Sequence, residues 1–437
     1  MGLTMRERHA VTRELTERYR KAPKKERGQI LDEFTALTGY NRSYARFMLR
    51  NCGKRVLKID CDVRILVIVL VLIGIGASLV ASSSSFFAGG VYSDHFALLR
   101  KHIFKVVVAL VGMMLAIHVD YRGYRKWSPV LLGGAIILLA GLFFMHQSIR
   151  STERWYYSDR LNMALQPGEV ARMALVFFLA YWITRSGPAI TDLKRGFLPA
   201  AAAICIVVGL IAATPNYGSA AMTLLVALTV LFLGGARLVH LGGFAAASVA
   251  AAAIKIGMTD YARNRVLAFF HPDAGVMQQN WQVFQSLVGL GSGGLVGRGV
   301  GGSTQKLSWL PDSYTDFIFS ILGEELGLLG TLAVSGMFLL LVLRALKISR
   351  RCGDRFGEML VVGIGCSIFC YAAVNMYVAT GLFPVTGLPL PFLSYGGSAL
   401  VVNAVAVGVL LNVSRNRAER DRAGHRGYSE YERAYSP

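Results

Sequence analysis

Charge is what this sequence has least of. Only 16% of its 437 residues are Asp, Glu, Lys or Arg, against about 25% in an ordinary soluble domain. With 54% hydrophobic residues, that scarcity points away from a soluble globular protein. A disulfide framework is also lacking. Of six cysteines, Cys52, Cys61 and Cys352 fall in basic segments or at their boundary, and Cys205, Cys366 and Cys370 fall inside apolar runs. None lies in a predicted external loop, so the oxidising side offers no pair. Cys366 and Cys370 share a helix face and read as small apolar packers. No P-loop is present: the glycine-rich stretch GLGSGGLVGRGVGG (289–302) lacks the Gly-Lys-Ser/Thr that would follow. No convincing internal repeat is visible, which weakens the case for a transporter built from repeated halves. No cleavable signal peptide opens the chain; the first 55 residues are polar and basic, so the first apolar run is expected to be retained.

What the sequence does have is long apolar runs. Residues 63–82 carry one Arg near the start and no other charge. About 20 apolar residues span a hydrocarbon core of roughly 30 Å, and a helix is the single-segment structure that satisfies its own backbone there. Ten such spans are expected: 63–82, 103–119, 129–146, 169–185, 198–214, 219–235, 241–257, 316–343, 358–378 and 397–413. The formal net charge of +20 is concentrated in alternate loops, at Arg122/Arg125/Lys126, Lys194/Arg195, Arg237, Arg344 to Arg355, and from Arg415 onward. That pattern is a positive-inside bias rather than a nucleic-acid footprint. The fold class is therefore all-α, a polytopic membrane protein with both termini in the cytoplasm and one long external loop before helix eight. Span eight exceeds the required length, so its first turns stand above the hydrocarbon or the helix tilts.

Three segments depart from this pattern. Residues 1–55 hold 14 Lys/Arg and 6 Asp/Glu, a net +8. Helices are expected at 5–22 and 26–37, followed by a turn and a basic helix over 37–51. This resembles the helix-turn-helix of some transposases, which would bring nucleic acid as a partner; a basic extension touching anionic headgroups explains it equally well. Residues 417–437 form a basic cytoplasmic tail. The long loop, 258–315, is expected to carry a short interfacial or re-entrant helix at 281–290, with the glycine stretch beside it. That stretch reads either as a flexible turn or as an anion site on backbone N–H groups.

Ionisable groups near or inside spans are costly and usually functional. Here they are Glu169 and Arg172, then Asp316, Glu324 and Glu325, with Arg154, Arg160, Arg298 and Lys306 in the adjoining loops. All lie toward the external side. Carboxylates abstract hydroxyl protons, and guanidinium groups hold phosphate bidentately. Together they suit transfer chemistry on a phosphate-bearing lipid. Singly, each has a plainer reading. Asp316 favours a helix N-terminus, Glu169 and Arg172 form a local pair, Glu324 and Glu325 join helices, and Arg154 and Lys306 anchor headgroups.

Several motifs then carry a resemblance. GLFPVTGLPLPFLSYGGSALVVNAVAVGVLLNVSR (381–415) and LSWLPDSYTDFIFSILGEELGLLG (307–330), with RW (154–155), QPGE (166–169) and PNYGSA (215–220), resemble the SEDS family (shape, elongation, division, sporulation) over residues 56–416. TQK (304–306), TGLFPVTG (380–387) and LLNVSR (410–415) are most similar to its FtsW and SpoVE branch. The resemblance implies a glycosyltransferase that polymerises lipid II into peptidoglycan at the outer face of the cytoplasmic membrane, for cell division. It implies Asp316 as the catalytic base and Arg154, Trp155, Gln166, Glu169, Lys306, Glu325 and Ser394 as substrate-binding residues, beside Arg172 and Arg298. It further implies lipid II and undecaprenyl-pyrophosphate-linked glycan as substrates. A class B penicillin-binding protein transpeptidase and other division proteins are the implied partners. A divalent cation, Mg or Mn, is the expected aid to the leaving pyrophosphate. Two positions depart from the family pattern: Arg172 stands where many members have Lys, and Asn216 where they have Asp. On sequence alone the cation at 172 has lost its acidic partner. The alternatives are a lipid II flippase or transporter, and a non-catalytic division scaffold.

Overall fold

The computed structural model describes residues 61–91, 97–144, 154–158, 163–270, 277–307, 309–311 and 313–415, together with residues 12, 14–16, 18, 19, 22, 23, 26–38, 45 and 49 of the N-terminal segment. The chain forms two compact units, Met1–Ile59 and Asp60–Pro437. In the first, helix α1 (Glu26–Thr38) turns Ile30, Leu31 and Phe34 inward. They share a small apolar core with Leu15, Tyr19, Ala45 and Leu49. The expected helix at 5–22 and the turn-helix at 37–51 lie largely outside the described residues, as does the tail at 417–437.

The second unit is a helical membrane bundle. Its apolar helices are α2 (Val63–Val91), α3 (Ala97–His118), α4 (Tyr121–Gly141), α5 (Pro167–Ser186), α6 (Leu198–Ala213), α7 (Tyr217–Leu233) and α8 (Leu238–Gly257), followed by α11 (Ile318–Ser349), α12 (Arg355–Ala379) and α13 (Gly397–Arg415). Among the described residues, one stands at each of the ten expected spans. Seven are long and apolar enough to cross a membrane on their own; α3 and α4 meet the test as a pair bent by 116°, and α7 is shorter. Between α8 and α11 lie α9 (Asp260–Phe270) and α10 (Met277–Ser292), so much of the predicted long loop is helical.

Core and periphery are distinct. The apolar windows of α12 and α13 are 72% and 78% buried, whereas that of α8 is 6% buried. The α3–α4 break is sealed from inside: Asn412 of α13 donates to the carbonyl of Ile117 at 2.7 Å and accepts from the N–H of Tyr121 at 3.0 Å. Backbone groups left over where one helix ends and the next begins are satisfied by such internal partners. Gly76 performs a different task. A β-carbon there would lie 2.6 Å from the Leu393 Cα, so only glycine lets α2 meet the turn before α13.

Two features correct the sequence reading. The first is a small hairpin, β1 (Tyr156–Ser158) with β2 (Met163–Leu165), antiparallel with Tyr156 opposite Leu165. Strands of three residues are too short for an alternating pattern to register. The second is α11, which is broken at Gly327 (φ 66°, ψ −166°) rather than continuous. The glycine-rich stretch is stitched to the break. Arg298 and Gly299 donate their N–H groups to the carbonyls of Glu324 and Glu325, each at 3.0 Å. Leu328 and Leu329 donate in return to the carbonyls of Gly294 at 2.9 Å and Leu295 at 3.1 Å. Those two loop amides are thus engaged within the fold, which weakens the reading of this stretch as an anion site.

Gly297 (φ 82°) makes the stitch possible, since any β-carbon there would collide with the Glu325 carbonyl. Gly297→Ala is expected to destabilise the protein by about 1–3 kcal/mol, the cost of a forced left-handed residue and its clash. Thermal unfolding in detergent measures this, and an unchanged midpoint would mean that the stitch yields freely.

Candidate functional site

The residues singled out by sequence resolve into three clusters. The first surrounds Asp316. The helix α11 starts at Ile318 with Phe317 as its cap residue, so Asp316 stands in the turn before it rather than within it. It is partly exposed. Its backbone carbonyl accepts from Asn375 Nδ2 of α12 at 2.8 Å, and the same amide donates to the Leu388 carbonyl at 2.7 Å. Its carboxylate lies against Gly387, where a β-carbon would sit 3.5 Å from Oδ2. Thr386, next in the chain, packs on Gly218 at the start of α7. The turn before α7 is held by Arg154, whose guanidinium donates to the carbonyls of Thr214 (3.2 Å) and Pro215. Asp316 and Arg154 are thereby joined through two packed segments. Trp155, half-buried, enters the hairpin beside Arg154. Gln166 binds this region through its backbone: its N–H donates to Ser398 Oγ at 2.8 Å, and that hydroxyl donates to the Ala164 carbonyl at 2.7 Å.

Ser394 is buried, and its hydroxyl accepts from the Leu390 N–H at 2.8 Å. It closes the Pro-Phe-Leu-Ser-Tyr-Gly-Gly turn from within. The next residue, Tyr395, donates its N–H to the Tyr314 carbonyl at 2.9 Å, and the two rings meet edge-on at 5.8 Å. The turn before α13 is thus tied to the turn that carries Asp316.

The second cluster lies along the upper part of α11. Glu324 is fully buried and accepts from six donors, including Ser303 Oγ at 2.5 Å, Thr304 N at 2.9 Å, Thr304 Oγ1 at 2.7 Å and Arg298 Nη1 at 3.1 Å. Lys306 is buried with Glu325, its Nζ 3.2 Å from Oε1 and 2.9 Å from Ser82 Oγ of α2. These residues fix loop 298–306 to the bundle. Arg298 keeps 41% of its side-chain surface exposed, so it alone of the four presents charge outward.

The third cluster is the interior of the bundle. Arg172, 1% exposed, donates to Glu169 Oε2 at 2.6 Å, to Asn403 Oδ1 of α13 at 3.1 Å and to the Ser367 hydroxyl of α12. Its guanidinium carbon lies 4.1 Å from the Tyr371 ring centroid. The acidic partner that sequence alone counted as lost is therefore Glu169, three residues back. Asn216 serves elsewhere, capping α7 by accepting from the Ser219 N–H at 3.3 Å. The local-pair reading of these residues holds, extended to two further helices.

Two residues that sequence reasoning passed over also border the Asp316 site. Lys105 and His102 of α3 pack on Tyr395. They fall at the edge of the 103–119 run and read as its basic flank beside Arg100 and Lys101. The available signal was that Lys105 falls inside the run. Among the described residues, no group of three or more His, Cys, Asp or Glu comes together as a metal site would require.

Known proteins supply the remaining evidence. The family profile described as cell cycle protein, spanning FtsW, RodA and SpoVE, matches residues 63–419. The probable peptidoglycan glycosyltransferase FtsW of Trichlorobacter lovleyi is 36% identical over 84% of this chain and 96% of its own length. Stage V sporulation protein E of Bacillus subtilis is 32% identical, over 82% of this chain and 98% of its own. Among solved structures, a chain of a peptidoglycan synthase complex that coordinates polymerization and crosslinking superposes with a TM-score of 0.67 at 28% identity, covering 82% of this chain and 98% of that one. The rod shape determining protein RodA of Thermus thermophilus has the same fold, with a TM-score of 0.61 at 24% identity, over 82% of this chain and 97% of that one.

Proposed function

The chain belongs to the cell cycle protein family of FtsW, RodA and SpoVE, and from that premise we propose that it is a peptidoglycan glycosyltransferase of the division and sporulation branch, with Asp316 as its catalytic base. One observation carries the assignment of the base. Of the carboxylates gathered here, Glu169, Glu324 and Glu325 are at most 2% exposed, whereas Asp316 is partly exposed on a non-helical turn. A base must reach the proton it removes. Glu169, Glu324 and Glu325 are committed to holding the bundle and its loop.

The reaction is the one the family resemblance implies. Lipid II offers the 4-hydroxyl of its N-acetylglucosamine. Asp316 takes the hydroxyl proton as the oxygen attacks the anomeric carbon of the growing strand. The bond from that carbon to pyrophosphate breaks, and undecaprenyl pyrophosphate leaves with the electron pair. Arg154, and Arg298 from the loop, supply positive charge for the phosphates. The described residues do not fit a protein-built metal cage. A divalent cation would have to draw its ligands from the substrate and water, and would supply charge stabilisation to the leaving pyrophosphate. A cross-linking enzyme, a class B penicillin-binding protein transpeptidase, works beside the chain with other division proteins.

The test is direct. Full-length protein with its transpeptidase partner, reconstituted in vesicles, is given lipid II, and glycan strands are resolved by gel. Strand formation supports the reading. Lipid II that crosses the bilayer with no strands made would identify a flippase instead. The cytoplasmic membrane and cytoplasmic termini are part of the same proposal. Val300, 69% exposed in the loop stitched to α11, is its reporter. Val300→Cys is expected to react with an impermeant thiol reagent added outside the cell, and Cys352 to remain unlabelled. The reverse pattern overturns the orientation.

A further inference from the structure

An ammonium group packs on Tyr395, which is tied to the Asp316 turn through Tyr314, and the reaction proposed above leaves it without a role. Lys105 points into the bundle, not out to lipid: its Nζ lies 3.8 Å from the Tyr395 ring centroid. Its stem rests on Gly397 at the start of α13, where a β-carbon would lie 3.1 Å from Cδ and 3.2 Å from Cε. Among the described residues no carboxylate pairs with it. One turn earlier on the same face is His102, 1% exposed, with neither ring nitrogen in a hydrogen bond and its ring 5.6 Å from that of Tyr395. A lysine inside a membrane helix normally finds a partner or turns to the interface, and a buried imidazole normally makes a hydrogen bond. Both groups here face Tyr395, which is bound to Tyr314 and so to the turn bearing Asp316. Tyr314 and Asp316 are two residues apart, no more than about 7 Å along the chain.

We propose that Lys105 and His102, backed by Tyr395, form a lipid-pyrophosphate subsite beside the Asp316 turn, separate from Arg154. This rests on the glycosyltransferase reading. Two lipid-linked substrates meet at the base, and each brings a pyrophosphate. Two cationic positions, reached from Asp316 through different segments, answer that requirement: Arg154 through 214–218 and 386–388, and Lys105 through Tyr395 and Tyr314. Lys105 supplies the charge, and His102 supplies a hydrogen bond that the phosphate completes.

Lys105→Met is the informative change, because it keeps the stem that packs on Gly397 and removes only the ammonium. Strand synthesis in vesicles is expected to show a KM for lipid II raised by about 10- to 100-fold, the range for losing a hydrogen bond to a charged group, with a smaller change in kcat. Lys105→Arg is expected to restore KM to within a few-fold. His102→Phe keeps the ring against Tyr395 and is expected to raise KM several-fold. Binding is read separately, as thermal stabilisation of the detergent-solubilised protein by undecaprenyl pyrophosphate. Weaker stabilisation of Lys105→Met places the subsite on the leaving side; a raised KM with unchanged stabilisation places it on the acceptor side. A Lys105→Met protein that folds normally, with KM and stabilisation both as in wild type, overturns the proposal. Wild-type protein that binds undecaprenyl pyrophosphate through Lys105 yet makes no strands would preserve the subsite and refute the glycosyltransferase reading.

Discussion

Asp316→Asn is expected to leave a folded protein that polymerises lipid II at least about 100-fold more slowly, the usual scale of general-base catalysis. A backbone contact that ties this residue to α12 survives the change: Asn375 donates to the carbonyl of Asp316. The amide keeps the size and most of the hydrogen bonding of the acid, but it takes no proton. Asp316→Glu keeps the charge and adds a methylene. The carboxylate already lies against Gly387, so the longer side chain must swing aside, and partial activity at best is expected. If the residue served only the start of α11, both variants would polymerise at the wild-type rate with a small loss of stability. A near-normal rate for Asp316→Asn, in membranes free of other glycosyltransferases, removes Asp316 from the chemistry.

The largest effect on stability is expected at Arg172. Arg172→Met strips Glu169 of its cation in a region where both side chains are at most 2% exposed. It also leaves Asn403 Oδ1 and the Ser367 hydroxyl without their donor. Removing one member of a buried pair costs about 3–5 kcal/mol, chiefly through the charge left behind. The double variant Glu169→Gln, Arg172→Met, with that charge gone, is expected to recover much of the loss. Arg172→Lys is expected to fall between, because an ammonium lacks the planar fork that serves Glu169, Asn403 and the Tyr371 face together. Thermal unfolding in detergent of wild type, Glu169→Gln, Arg172→Met and the double variant gives the coupling as a double-mutant cycle. Equal stability of Arg172→Met and wild type would show that the cluster contributes nothing net.

Much of the fold was legible because hydrophobic length is a one-dimensional property. A run such as 63–82 needs no partner to be read, and helices stand close to all ten expected spans. What a run does not reveal is a break inside it. Gly327 lies among apolar residues that suit a continuous helix, and its left-handed backbone depends on Gly294, Leu295, Arg298 and Gly299, about thirty positions earlier. The hairpin at 156–165 was hidden for a related reason, its strands being defined by pairing and not by pattern. The site was legible as a list of ionisable residues but not as a partition. Sequence order placed Glu324 and Glu325 beside Asp316, while burial separates them: two carboxylates caged by donors, and one in a partly exposed turn. Arg172 and Asn216 read as a broken pair because two positions were compared with each other. Glu169, on the same helix face, was the nearer partner throughout.

The stitched break in α11 has a consequence for how this part of the chain tolerates change in length. Surface loops ordinarily accept insertions and deletions cheaply. Here the four backbone bonds between 294–299 and 324–329 are register-bound, like rungs of a ladder. Adding or removing one residue near Val296 would put the bonds to Gly294 and Leu295 out of step with those from Arg298 and Gly299, carry Gly297 away from the Glu325 carbonyl that admits only glycine, and draw Ser303 and Thr304 off the Glu324 carboxylate. The loop is therefore a measured strap with a fixed number of links, and a change of length between Gly293 and Lys306 is expected to be costly.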